Sequence, residues 1–219
     1  MSPRIVEVRR DILKKNDLLA RELRDGFAAA GVFVASMVSS PGAGKTALLE
    51  ETLRRLRPSR RVAALVGDLA TERDAERLAR AGAPVRQIST GTVCHLDAEM
   101  IKGALDGWTL DDLDMLFIEN VGNLVCPASY DLGEDLRVVL MSVTEGEDKP
   151  LKYPTIFNTA DVAIITKIDM AGPARFDAGA ARHNIREVRP GIEILELSTF
   201  TGDGFDAWLQ LIAKRADAR

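Results

Sequence analysis

The chain has 219 residues, with 29 Lys+Arg against 33 Asp+Glu and a formal net charge of −4. Hydrophobic residues make up 46% and charged residues 28%, the balance of a globular protein that buries a full core without disulfide staples. The acidic excess and the lack of any Lys/Arg block argue against an electrostatic grip on nucleic acid.

Ser2-Pro3 reads as an N-cap followed by proline at the first helical position. Ile5, Val8, Ile12, Leu19, Leu23 and Phe27 then recur at helical spacing among Arg, Lys and Glu. They predict an amphipathic helix with a break near Asn16-Asp17 and an end by Gly31, whose apolar face suits docking on the chain's own domain first and on a partner second. Apolar β-type runs follow at Val32–Val38, Val62–Val66, Val85–Ile88, Met115–Ile118, Val138–Val143, Val162–Ile165 and Ile192–Leu197. Helical stretches lie between most of them, at Thr46–Leu56, Thr71–Ala81, His95–Leu105, Ala174–Val188 and Phe205–Lys214. That alternation predicts an α/β fold with a mostly parallel, doubly wound sheet covered by helices on both faces. With no repeat or linker in view, the expected organisation is an N-terminal helical extension over 1–31 and one nucleotide-binding domain over 32–219.

Directly after the first strand comes Ser39-Ser40-Pro41-Gly42-Ala43-Gly44-Lys45-Thr46, leading into a helix. Strand, glycine-rich turn, helix is the setting of a P-loop. Gly42, Ala43 and Gly44 let backbone N–H groups converge on phosphates, and the helix N-terminus adds partial positive charge. Lys45 is placed for the β- and γ-phosphates and Thr46 for Mg²⁺. Ser39 stands where the eight-residue pattern usually has glycine. Asp68 and Glu119 end two later strands, where open α/β sheets put their ligands, and with Thr46 they form a candidate Mg²⁺ set. Gly122 is a candidate γ-phosphate sensor through its N–H.

At the end of a later strand stands Ile165-Thr166-Lys167-Ile168-Asp169. This is similar to the Asn/Thr-Lys-x-Asp pattern of nucleotide domains that choose guanine. A carboxylate at Asp169 accepts bonds from guanine N1–H and the 2-amino group, while the Lys167 stem covers the base. Adenine would leave Asp169 unpaired, so the site is expected to take GTP and GDP. Ser198, just past the last strand, fits a further base-contacting loop.

The chain has two cysteines and two histidines, too few thiols for a disulfide framework, which implies a reducing compartment. The most apolar stretch, Phe27–Val38, is shorter than the roughly 20 residues of a membrane span, and no secretory pattern opens the chain. A cytoplasmic protein with no membrane partner is expected. Cys94 and His95 are adjacent and Cys126 lies seven residues past Glu119. Thiolate with imidazole suits Ni²⁺, Zn²⁺ or copper, not Mg²⁺; buried free cysteines beside a capping histidine would give the same spacing.

The wider string is more specific. Gly67-Asp68-Leu69-Ala70-Thr71, Ser89 through Ala98, Phe117 through Ala128, and Thr144 through Pro154 closely resemble the nickel-incorporation GTPases of hydrogenase maturation, the HypB type, over about Val34 to Gly204. The chain is similar, more distantly, to the urease accessory GTPases, whose Cys-Pro-His motif is here Cys94-His95 without the proline. The first resemblance implies a slow GTPase that carries nickel, with zinc as a second ion, to the [NiFe]-hydrogenase large-subunit precursor. It implies a small zinc-containing nickel-binding partner and a homodimer favoured by GTP. Cys94, His95 and Cys126 would be metal ligands shared across that dimer, and Lys152 would reach the partner subunit's nucleotide. No Cys-rich motif occupies Met1-Ser2-Pro3-Arg4 and no histidine-rich tract follows. A metal-independent P-loop ATPase is the contrasting expectation.

Overall fold

The computed structural model describes residues 3–68, 78 and 80–219, and side chains from residue 11 onward apart from Asp68. The expected N-cap at Ser2 and nearly all of the expected helix 71–81 lie outside the described residues.

The chain opens with one helix, α1 (Pro3–Ala29), which is continuous where a break was expected. The reason is tertiary. Asn16 normally competes with a helix for backbone groups, but its Oδ1 accepts from Ala98 N at 2.9 Å and its Nδ2 donates to Asp131 O at 2.9 Å. The side chain is therefore satisfied outward and leaves the helical ladder intact. On the same side Ala20, Leu23 and Phe27 pack among Val34, Leu65, Ile101 and Leu116. Gly133 permits that approach: a Cβ there would lie 2.9 Å from Ala20 O.

Among the described residues seven strands follow, β1 (Phe33–Ser39), β2 (Val62–Asp68), β3 (Val85–Ser89), β4 (Met115–Glu119), β5 (Leu136–Ser142), β6 (Val162–Thr166) and β7 (Glu193–Leu197). All pairings are parallel, in the order β3-β2-β4-β1-β5-β6-β7. Alternation sets the two faces of the sheet. Phe33, Ala35 and Met37 face α2 (Lys45–Leu56) and the C-terminal helix Phe205–Asp217, through Leu48, Leu49, Leu53, Trp208 and Ile212. There Trp208 Nε1 donates to Thr52 Oγ1 at 2.9 Å, so the largest buried side chain keeps a polar partner. Val34 faces α1 and α3 (Ala98–Ala104), while Val38 joins Val139, Phe157, Ile165 and Ile185 further along.

Two helix starts differ from the sequence expectation. The helix expected from His95 begins at Ala98, because Asp97 is its N-cap and accepts from Met100 N at 2.8 Å. His95 thus sits on a loop. The helix expected from Ala174 runs over Ala178–Val188, capped by Asp177. In register, Met37 and Val66 both stand beside Glu119, and Ser142 stands beside Thr166. The carboxyl ends of the central strands therefore make one rim, with β1 at the point where the order reverses. No helix among the described residues is long and apolar enough to cross a membrane.

Candidate functional site

The P-loop occupies the centre of that rim. Gly42 and Gly44 adopt φ of 75° and 97°, a backbone that L side chains rarely take. Gly44 is the N-cap of α2 and supplies no capping side chain, and the first turn of α2 carries no acid. The helix start is thus open to an anion, with N–H groups and dipole both favouring one. Lys45 is buried and its Nζ donates to Ser39 Oγ at 3.0 Å, so the residue in the usual glycine place holds the lysine.

Thr46 Oγ1 donates to Glu119 Oε1 at 2.7 Å. Two of the three candidate Mg²⁺ ligands are therefore in contact, one on α2 and one at the end of β4; the Asp68 side chain lies outside the described residues, although its backbone ends β2 on the same rim. A hydroxyl beside a buried carboxylate at an open helix start fits a hydrated Mg²⁺ on a phosphate. Gly122 closes against the loop: a Cβ on it would come within 3.1 Å of Pro41 Cα. The segment after Glu119 and the P-loop are therefore packed backbone to backbone.

The candidate base-reading residues brace the same loop. Thr166 Oγ1 donates to Ala43 O at 2.6 Å, and Lys167 Nζ donates to Gly42 O at 2.7 Å. Lys167 has φ of 60°, which aims its stem back over the P-loop. Asp169 is exposed in the following turn. Ser198 is fully buried, and its Oγ accepts from Phe200 N and Thr201 N at 3.1 Å each. Its hydroxyl shapes the loop from within. Lys152 lies apart from these groups, on a short helix where its Nζ meets Asp148 Oδ2 at 2.6 Å near the surface.

Cys94, His95 and Cys126 come together. One ligand atom from each lies within 4.8 Å of the others, and the two sulfurs are 2.6 Å apart. The imidazole lies over the Tyr130 ring, centroids 3.9 Å apart, and its buried Nδ1 has no hydrogen-bond partner among the described residues. An orphaned imidazole nitrogen beside two thiols is a donor set for a borderline-soft ion. The neighbouring Cys126 thiol, then burial, pushes the Cys94 pKa up. Burial pushes the His95 imidazole down, against a smaller opposing pull from Asp97.

Sequence reasoning missed what holds this triad. Asn120 Oδ1 accepts from Leu96 N at 3.0 Å and from Val121 N at 2.9 Å. Asn123 Nδ2 donates to Cys94 O at 3.2 Å while its Oδ1 accepts from Val125 N at 2.8 Å. Both asparagines and Tyr130 are ordinary loop residues in the sequence, and no spacing rule singles them out.

Residues 33–196 match the family described as the CobW/HypB/UreG nucleotide-binding domain. The hydrogenase maturation factor HypB of Escherichia coli (strain K12) is 50% identical over 206 residues, covering 94% of this chain and 71% of that protein. Among solved structures, the hydrogenase maturation factor HypB from Archaeoglobus fulgidus superposes with a TM-score of 0.87 at 37% identity, covering 93% of this chain and 99% of that one. HypB from Helicobacter pylori in complex with nickel gives a TM-score of 0.88 at 39% identity, covering 93% of this chain and 96% of that one.

Proposed function

Since the chain belongs to the HypB branch of the CobW/HypB/UreG family, we propose that it is a GTP-hydrolysing metallochaperone that carries nickel for [NiFe]-hydrogenase maturation. The observation that most supports this is the meeting of two chemistries on one short segment: Glu119 bonded to the P-loop Thr46, and seven residues later Cys126 beside Cys94 and His95.

GTP lies with its phosphates over Gly42–Thr46, where backbone N–H groups and Lys45 take up negative charge that grows on the β–γ bridge as it breaks. Thr46, Glu119 and Asp68 are the residues that would hold Mg²⁺, which supplies further neutralisation of the phosphate oxygens. Asp169 accepts from the guanine edge and Lys167 covers the ring. Without a residue assigned to orient the attacking water, slow hydrolysis is the expected basal behaviour, as for a switch awaiting a partner.

Ni²⁺ is cargo, with Zn²⁺ as competitor. Cys94, His95 and Cys126 offer three ligands per chain, which leaves a four-coordinate ion one short, whereas a two-fold interface pools two sets. A GTP-favoured homodimer follows, with Lys152 reaching the partner subunit's nucleotide. Ions are received from a small zinc-containing nickel-binding protein and pass to the hydrogenase large-subunit precursor in the cytoplasm.

The test is a pair of assays on purified protein. GTP should outcompete ATP, phosphate release should be lost in Lys45→Ala, and equilibrium dialysis should show Ni²⁺ binding lost in Cys126→Ala. Equal use of ATP and GTP, or Ni²⁺ retention in Cys126→Ala, contradicts the proposal.

A further inference from the structure

The nucleotide and metal sites are joined by more than the chain between Glu119 and Cys126. Asn120 follows Glu119 directly and is only 2% exposed. Its backbone N–H donates to Met37 O at 3.0 Å, which fixes it to the end of β1 beside the P-loop. Its side-chain oxygen then reaches sideways to Leu96 N, the residue next to His95. Leu96 is itself clamped: it is fully buried, and Gly67 on β2 leaves room for it, since a Cβ there would lie 2.8 Å from Leu96 Cγ. The Glu119–Asn120 peptide is thereby tied through one side chain to the backbone next to His95.

Asn123 is built differently. Its two bonds, to Cys94 O and from Val125 N, tie together the two segments bearing the thiols. They hold the metal loops to each other and not to the nucleotide rim.

We infer that Asn120 is the positioning residue that makes the geometry of the Cys94–His95–Cys126 site depend on the bound nucleotide, whereas Asn123 shapes that site whichever nucleotide is present. This rests on the function proposed above. A buried amide with both acceptor positions used by two backbone N–H groups has one discrete arrangement. Breaking either bond leaves a buried donor unsatisfied, so the link resists gradual deformation.

The test measures Ni²⁺ dissociation constants in the presence of GDP and of a non-hydrolysable GTP analogue, for the full chain, Asn120→Ala and Asn123→Ala. Their ratio in the unmodified protein should be at least about fivefold from unity. In Asn120→Ala it should fall to within about twofold of unity, while in Asn123→Ala both constants weaken together and the ratio persists. A merely structural role for Asn120 would behave like Asn123. Should Asn120→Ala fail to fold, amide hydrogen exchange on the unmodified protein decides: the Leu96 N–H should change its protection between the two nucleotides. A preserved ratio in Asn120→Ala, or nucleotide-independent exchange at Leu96, overturns the inference while leaving the proposed function standing. Absence of Ni²⁺ or GTP binding in the unmodified protein overturns both.

Discussion

The hydroxyl of Thr46 donates a 2.7 Å hydrogen bond to Glu119 Oε1, joining the first turn of α2 to the carboxyl end of β4. Both groups face the open helix start, so a divalent ion arriving with the nucleotide meets a hydroxyl and a carboxylate already side by side. Thr46→Ala removes one of the two. GTP hydrolysis should drop on the order of a hundredfold, as when one electrostatic contact to a reacting phosphate is lost, and half-saturation should need more Mg²⁺. Phosphate release against Mg²⁺ concentration checks this, and an unchanged Mg²⁺ dependence counts against Thr46 as a ligand.

Asp169 is exposed, on the turn that follows Lys167. Asp169→Asn exchanges an acceptor for a donor opposite the 2-position of the base. GTP affinity should weaken by at least about a hundredfold and xanthosine triphosphate should become the better ligand, since a site built to hydrogen-bond one base edge rejects the base that leaves its groups unpaired. Competition between the two nucleotides measures it directly; retained guanine preference removes Asp169 from the base site.

The buried Thr166 hydroxyl ties β6 to the P-loop through Ala43 O. Thr166→Val keeps the shape and deletes the donor, which should cost about 1–2 kcal/mol. For a chain of this size that lowers the melting temperature by roughly 2–8 °C. Thermal unfolding without nucleotide reads the effect, and GTP affinity should fall in parallel because the loop loses its brace.

The pH response of metal binding follows from two opposite shifts. Cys94, held above its ordinary 9.0 by the Cys126 thiol and by burial, carries a proton near neutrality that an incoming ion must displace. Ni²⁺ affinity should therefore rise about tenfold or more per pH unit between about pH 7 and 9. His95 adds nothing to that slope, because burial keeps it below its ordinary 6.5 and it is already neutral. For metal-free stability the sign is that of a depressed group: the His95 contribution is complete above 6.5 and is lost as pH falls through the lowered value. A flat affinity over the alkaline range contradicts the Cys94 assignment.

Much of this architecture was legible because its signals are local. The apolar β-type runs located the seven strands of the described residues, and the P-loop glycines announced their backbone by residue type alone. The unbroken α1 was not legible, since Asn16 is made harmless to its helix only by Ala98 and Asp131, more than eighty residues away. The same holds at the site. Cys94, His95 and Cys126 could be named from their chemistry, but Asn120, Asn123 and Tyr130 gain meaning only when folding sets them against Leu96, Cys94 and His95. The apolar pattern from His95 onward predicts a helix that includes it, and it is Asp97 as N-cap that leaves His95 on the loop where it meets the thiols.

The central claim is that the sulfur–imidazole site responds to the phosphate site. A titration of Ni²⁺, followed by the thiolate-to-nickel absorption band, on protein saturated with GDP and then with a non-hydrolysable GTP analogue tests it most directly. Two distinct affinities, with the band absent in Cys126→Ala, are the predicted result. One affinity common to both nucleotides would contradict the account.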